Sequence, residues 1–336
     1  MSPRLVVTVA GRSAVTDLGR ARGPAFGLPV NGALDQYSAR VANILVANDE
    51  NAPIIEATAF DVAFVPDTDV LIAVTGASME VTVDGCARPM WEPVPVVAGQ
   101  EVRLASMTAG MRTYVAVHGS FDVPDLLGSC APDTVIGFGT VLADGAAIAL
   151  RARTAAPVNP YFGISLFHFG VDRPHFGDTA YVDVTDGPDI EEFAGTSRRL
   201  FDAPYRVSTQ SDHIGLRMTG SLPERVRADE MISRGIPVGA IEVPPGDELL
   251  VLHRGRGVTA GYPVLAVATS TSLDALGQVR PEASVVFRGV TVDQAGRDAR
   301  AWRERLDALR DRVATVYSCI GADDLVPLRP LERNLP

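Results

Sequence analysis

Three loops carry the residues whose types and spacing can do chemistry. They read Gln-Ser-Asp-His-Ile-Gly-Leu-Arg (210–217), Gly-Ala-Ile-Glu-Val-Pro-Pro-Gly-Asp (239–247) and Val-Thr-Ala-Gly-Tyr-Pro (258–263). Each sets polar or Gly/Pro residues beside an apolar run. That is the pattern of a loop at a strand end, where binding groups usually sit, and equally of an ordinary turn. Asp17, Asp35 and Asp212 are the acids in the most motif-like loops. In a cleft, a carboxylate acts as a general base or orients an amide. In a turn, Asp17 and Asp212 would instead bond backbone amides of their own loops, and Asp35 would cap a helix. Arg20 and Arg217 offer guanidinium forks for a carboxylate or carbonyl, or take part in surface ion pairs. Tyr262, between Gly261 and Pro263, can donate to a substrate carbonyl or lie at a core edge. Of the five histidines, only His213 and His253 fall in the 210–262 stretch that holds these loops, which makes them the two to test for proton transfer. None shows metal-ligand spacing such as H-x-x-x-H, and no metal site is expected.

Composition removes several chemistries. The 336 residues contain no lysine, so all 30 basic residues are arginine. A Schiff-base lysine, a P-loop lysine and a Ser–Ser–Lys amidase arrangement are therefore excluded on this chain. No G-x-S-x-G elbow appears either. A net charge of −11 argues against nucleic acid or an anionic membrane surface as partner. Cys86, Cys130 and Cys319 are odd in number and far apart, which indicates neither a zinc site nor a disulfide framework. The N-terminal apolar run is short for a signal peptide, and no stretch is long enough to span a bilayer. A reduced, soluble, cytoplasmic protein is expected.

The elements that must hold these loops are mostly short strands. Apolar runs predict strands at 5–10, 54–58, 70–75, 79–83, 102–105, 113–118 and 146–150, with hairpin turns at Asp84-Gly85 and Thr108-Ala109-Gly110. After Asn31-Gly32, Asp35 is placed to cap a helix running to Asn48. A polar, Pro-containing stretch near residues 151–160 reads as a junction. Beyond it, strands are predicted at 181–184, 205–208, 215–219, 240–243, 249–253, 264–268 and 284–287, with an acidic helix start at 188–193 and a small helix at 273–276. Thr291 to Gln294 fits a capping box ahead of a long helix whose apolar face includes Trp302, Leu306, Leu309 and Val313. That helix reads as a packing element or as a partner-binding one. Thr16-Asp17 before Gly19 and Arg20 is echoed by Ser211-Asp212 before Gly215 and Arg217, a short likeness between the halves. So many short strands and turns point to barrels or sandwiches.

Seven blocks together carry a resemblance. They are Thr-Asp-Leu-Gly-Arg (16–20), Gly-Leu-Pro-Val-Asn-Gly-Ala-Leu-Asp (27–35), Ala-Asn-Ile-Leu-Val-Ala-Asn (42–48), Tyr-Val-Ala-Val-His-Gly-Ser-Phe-Asp-Val (114–123), the 210–217 block, Gly-Ala-Ile-Glu-Val-Pro-Pro (239–245) and Thr-Ala-Gly-Tyr-Pro (259–263). In this order they resemble the biotin-dependent carboxyltransferase family, also called allophanate hydrolase subunit 2, KipA-like or C-type 5-oxoprolinase subunits. The resemblance implies a mainly β fold of two cyclophilin-like β-barrel subdomains with few helices. Residues 1–155 would form the first, 156–290 the second, and 291–336 a C-terminal helix and tail.

It also implies function and partners. The chain would be a subunit of an ATP-dependent 5-oxoprolinase-type complex that opens 5-oxoproline to glutamate. It would act with a subunit 1 or KipI-like partner and a LamB/YcsF-like third subunit. The alternatives are a urea or allophanate-type carboxyltransferase subunit, and a non-catalytic regulator that binds a KipI-like kinase inhibitor. No cofactor is expected to be held firmly by this chain: ATP would be used on another subunit, and biotin enters through the family name.

For the site, the resemblance implies Asp212, Arg217 and Tyr262 in the catalytic roles. Asp212 would do acid/base or orienting work, and Arg217 and Tyr262 would hold a carbonyl or carboxylate. Asp17, Asn31, Gly32, Asp35, Gln210, Ser211, Thr259 and Gly261 would line the substrate. The chain departs from the family pattern at Thr16, where Gln is usual, and at Cys130-Ala131-Pro132-Asp133. It also departs at Gly255, where many relatives carry Asp, at Ala260, and at Val264, where a basic residue is common.

Overall fold

The structure is a computed structural model that describes residues 3–151, 168–226 and 231–322. The first half builds one ten-stranded sheet from β1 (Arg4–Val9), β2 (Ser13–Thr16), β3 (Ile54–Thr58), β4 (Val62–Pro66), β5 (Val70–Val83), β6 (Cys86–Arg88), β7 (Pro93–Val96), β8 (Val102–Val117), β9 (Thr140–Val141) and β10 (Ala147–Ala149). Its main path runs β10-β1-β4-β8-β3-β2-β9, and β5 pairs with β6, β7 and β8. Period-two alternation gives the sheet two apolar faces. Val15, Ile55, Ala57, Val115 and Val117 enter one core. Ile54, Leu71, Ala73, Tyr114 and Ala116 enter the other, which α1 (Gln36–Leu45) and a C-terminal helix cover.

The two longest strands correct the expected pattern. Residues 70–83 form one strand and residues 102–117 another, paired antiparallel from Ile72↔Val117 to Val83↔Val102. There is no hairpin at Thr108-Ala109-Gly110. The left-handed φ values of Ser106 (55°) and Gly110 (78°) are absorbed as bulges, and the register shifts around Ser78 without reversing the chain. The real turn is at Asp84-Gly85, where both residues take positive φ, 47° and 74°.

The second half closes into a seven-stranded barrel from β11 (Thr179–Asp186), β12 (Tyr205–Val207), β13 (Gly215–Thr219), β15 (Ala240–Glu242), β16 (Leu249–Leu252), β18 (Val264–Ala268) and β19 (Ser284–Gly289). β19 lies parallel to β11, and every other pairing in the ring is antiparallel. Val182, Phe193, Tyr205, Met218, Ile241, Val251 and Phe287 fill its interior. β14 (Arg234–Gly235) and β17 (Thr259–Ala260) form a separate ribbon. The fold is mainly β, with three α-helices among the described residues. Of the two expected barrels the second is a closed ring, and the first is a half-barrel whose strand path ends at β10 and β9. The predicted acidic helix start is a 3-10 turn, Ile190–Phe193; Asp189 does not cap it but accepts from Val264 N at 2.7 Å. The expected junction near 151–160 and the tail beyond Ala322 lie outside the described residues.

Both predicted helix caps are present. Asp35 Oδ1 accepts from Ser38 N at 2.9 Å and Thr291 Oγ1 from Gln294 N at 3.1 Å. Helix α1 stops at Leu45, before the expected Asn48, because Ala47 turns to φ 56°. The long helix is a packing element. With α2 defined as Ser272–Leu276, this α3 (Val292–Cys319) buries Leu306, Leu309, Val313 and Tyr317, and Tyr317 Oη donates to Leu45 O at 2.7 Å. Arg40, Arg303 and Arg310 all converge on the buried Glu50. None of the described helices is long and apolar enough to cross a membrane.

The halves meet at the start of α1 and the end of α2. Gln278 Nε2 donates to Asp35 Oδ2 at 2.7 Å and to Arg112 O at 2.9 Å, while its Oε1 accepts from Met111 N and Arg112 N at 2.8 and 2.9 Å. Gln36 N donates to Asp274 Oδ1 at 2.8 Å. Gly277 packs so closely that an added Cβ would lie 2.7 Å from Leu34 C. Burial raises the carboxyls of both Asp35 and Asp274, the latter to about 7; the charge of Asp35 further raises Asp274, and that of Glu56 further raises Asp35. Ionising either acid costs more in the folded chain than in the unfolded one. Stability from this pair is therefore greatest below the ordinary carboxylate pKa and falls as pH rises from about 4 to 7. Asp274→Asn keeps an acceptor for Gln36 N and removes the charge. Urea titrations should show this variant gaining stability relative to wild type as pH rises from 5 to 8; a difference independent of pH would show that Asp274 is not strained by ionisation.

Candidate functional site

A cleft of about 330 Å³ opens where the sheet faces the loops of the barrel. Its floor is the polar side of β2, β3 and β8. Register sets Ala14 opposite Glu56 and Thr58 opposite Arg112, and because Val15, Ile55 and Ala57 point into the core, these side chains point away from it. Asn31 and Gly32 form one wall, and Ser211, Asp212, His213 and Gly255 come from the barrel.

Glu56 is the best-prepared polar group on the floor. Its Oε2 accepts from Tyr114 Oη at 2.7 Å and from Leu34 N at 3.3 Å. Its Oε1 accepts no hydrogen bond among the described residues and lies 3.8 Å from Arg112 Nε. Arg112 is itself held by donating to Gly277 O. Arg12 also lines the cleft, and its guanidinium makes neither hydrogen bond nor ion pair with any described residue. Asp212 Oδ1 accepts from Ile214 N (2.8 Å) and Gly215 N (3.3 Å) of its own turn, which leaves Oδ2 without a partner among the described residues. Gly255 makes room for His213: an added Cβ would lie 2.5 Å from the imidazole Cδ2 and 2.8 Å from His213 O.

Of the residues expected at the site, Asn31, Gly32, Ser211 and Asp212 line this cleft; the others do not. Asp17 is buried and fully engaged: Gly19 N and Ser129 Oγ donate to Oδ1 at 2.9 and 2.6 Å, and Cys130 N to Oδ2 at 2.8 Å. Asp35 is committed to its cap and to Gln278, and lines a second cavity with Tyr37, Asp274 and Trp302. Arg217 points from β13 to Glu248, 2.8 Å away, on the surface. Gln210 is exposed one residue short of the cleft. Thr259, Gly261 and Tyr262 belong to the β14–β17 ribbon and its turn, where Gly261 packs on Met231 and Ser233. Tyr262 is 41% exposed and outside the cleft. The turn chemistry of 258–263 was legible, but where the ribbon carries it was not.

Two further candidates have structural roles. Arg20 is buried, with Nη2 donating to Ala131 O at 2.7 Å and its guanidinium 5.6 Å from the centroid of the Phe138 ring. His253 is buried; its Nδ1 accepts from Arg254 N and its Nε2 donates to Leu273 O. Desolvation pulls its pKa down to about 3, so the imidazole is neutral near neutral pH with both nitrogens engaged inside the fold. Among the departures from the family pattern, Cys130 and Val264 are buried in packing, whereas Thr16, Pro132 and Gly255 line the cleft. Glu56, Arg12 and Arg112 escaped the sequence reading. The signal for Glu56 was a lone acid inside an otherwise apolar strand.

A profile described as "Carboxyltransferase domain, subdomain A and B" matches residues 26–289. A C-type 5-oxoprolinase subunit from Escherichia coli is 32% identical over 286 residues, covering 84% of this chain and 89% of that protein. A urea amidolyase from Saccharomyces cerevisiae is 28% identical over 287 residues, covering 78% of this chain but 15% of its own length. The crystal structure of the Kluyveromyces lactis urea carboxylase superposes with a TM-score of 0.80 at 23% identity, over 92% of this chain and 29% of that one. At that identity the likeness concerns the fold.

The placement of Asp17 and Arg217 separates structure from chemistry. Asp17→Ala strands three buried donors and should cost about 3 kcal/mol by chemical denaturation. Arg217→Ala removes an exposed pair and should stay within about 0.5 kcal/mol of wild type. Equal losses in the two variants would contradict these assignments.

Proposed function

The chain belongs to the carboxyltransferase domain family of subdomains A and B, and from that premise we propose that it is the C-type component of a 5-oxoprolinase complex. One observation carries the reading most: a cleft sized for a small molecule, walled by loops from both halves, in a chain that matches a C-type 5-oxoprolinase subunit over nearly its whole length. In the reaction, water adds to the lactam carbonyl carbon, the C–N bond breaks, and the ring nitrogen leaves as the amine of glutamate. The chemistry available here is that of carboxylates and arginines. Glu56 Oε1, ion-paired with Arg112 at 3.8 Å, and Asp212 Oδ2 each accept no hydrogen bond from a described residue, which suits them to orienting an N–H group or a water.

The ATP requirement is assigned to the other subunits. A lysine-free chain offers no P-loop lysine. The partners in this reading are a subunit 1 or KipI-like chain, which completes the cleft, and a LamB/YcsF-like third subunit. The urea amidolyase likeness and the family name favour a second reading, transfer of a carboxyl group carried on the biotin of another domain.

Co-expression with the subunit 1-like chain tests the first reading. The two should co-purify, and with the third subunit they should release glutamate from 5-oxoproline in an ATP-dependent manner. Incorporation of labelled bicarbonate into urea, without glutamate release, would replace it with the second.

A further inference from the structure

Arg12 and Glu56 are neighbours on the cleft floor. Arg12 O accepts from Thr58 N at 2.9 Å, and Ala14, two residues on, is opposite Glu56. That register makes Arg12 the diagonal partner of Glu56 across the β2–β3 pair, a separation of about 7–8 Å between backbones that long side chains span. Both line the cleft and each keeps hydrogen-bonding capacity: among the described residues, Glu56 Oε1 is ion-paired with Arg112 at 3.8 Å but accepts no hydrogen bond, and the Arg12 guanidinium has no counter-ion. Glu56 is also held rigidly, with Oε2 fixed by Tyr114 Oη and Leu34 N and the Arg112 guanidinium behind Oε1. A fixed carboxylate oxygen selects a donor; a free guanidinium selects an anion.

We propose that Arg12 and Glu56 form a two-point specificity device for an amide that bears both an N–H and a carboxylate, Glu56 Oε1 accepting the N–H and Arg12 pairing with the carboxylate. The assignment rests on the 5-oxoprolinase reading and sharpens it. A lactam acid satisfies both points, whereas urea leaves Arg12 unmatched. Arg12 is exposed at the cleft, so discrimination comes from the charge pair that the carboxylate of a lactam acid gains and urea cannot make. Glu56 and Arg12 are binding residues here; neither is asked to form or break a bond.

Four small molecules separate the two points: 5-oxoproline, its γ-lactone analogue without the N–H, 2-pyrrolidone without the carboxylate, and urea. Dissociation constants and KM would be measured on the assembled complex for wild type, Arg12→Ala and Glu56→Gln. Arg12→Ala should weaken 5-oxoproline and the lactone roughly tenfold to a hundredfold and leave 2-pyrrolidone unchanged. Glu56→Gln keeps an acceptor for Tyr114 and a similar melting temperature. It should weaken 5-oxoproline and 2-pyrrolidone by a similar factor and leave the lactone unchanged. Losses that ignore which group the ligand carries would overturn the pairing, as would variants that bind all four like wild type. A wild-type complex that binds 5-oxoproline no better than urea would overturn the 5-oxoprolinase reading itself, and the device with it.

Discussion

Gln278 is the contact on which the rest of the architecture depends. One side chain from the barrel donates to the carboxylate that caps α1 and to a carbonyl of β8, and accepts from two consecutive β8 amides. All of its hydrogen-bonding capacity is used in a buried site, where a half-satisfied amide would be costly. The same junction seats Gly277 against Leu34 and aims Asp274 at the first amide of α1. The floor residue Arg112 and the wall residues that follow Asn31 are thereby fixed relative to the barrel. Two raised carboxyls are the cost of this arrangement, since Asp35 and Asp274 are both desolvated at the same buried helix end.

The cleft inherits its character from this geometry. The sheet contributes rigid groups on strands: Glu56 held by Tyr114, and Arg112 held by Gly277. The barrel contributes loop groups, Asp212 in its own turn and His213 against Gly255. Groups on strands hold position better than groups on loops, so recognition is assigned to the floor and adaptation to the barrel side. Gly255 belongs to the same design. A side chain there would push His213 out of the place it now occupies, so glycine at 255 is what admits the imidazole to the rim.

The sequence was most legible where one local rule decides. The bounds of β3, β13 and β18 follow from apolar runs closed by turn residues, and the caps at Asp35 and Thr291 from side chains that reach their own helix amides. The long pairing of β5 with β8 was hidden because bulges at Ser106 and Gly110 look like turns to any local rule. The site divided the same way. Asn31-Gly32 and Ser211-Asp212 stood out as polar turn residues and do line the cleft. Asp17 and Arg20 carried equally strong local signals, but those signals belong to a buried loop network that only tertiary contacts reveal. Glu56 and Arg112 were invisible for the opposite reason, because a charged residue inside a strand normally means a solvated face. Here that face is the floor of a cleft, covered by loops of a barrel that lies far along the chain.

A crystal structure of the chain soaked with 5-oxoproline is the most direct measurement. Ligand bridging the two halves is expected, with its ring between the β3 floor at Glu56 and the barrel loop at Asp212. Ligand seated in the second cavity beside Trp302, or touching only one half, would contradict a shared cleft as the place where this protein meets its substrate.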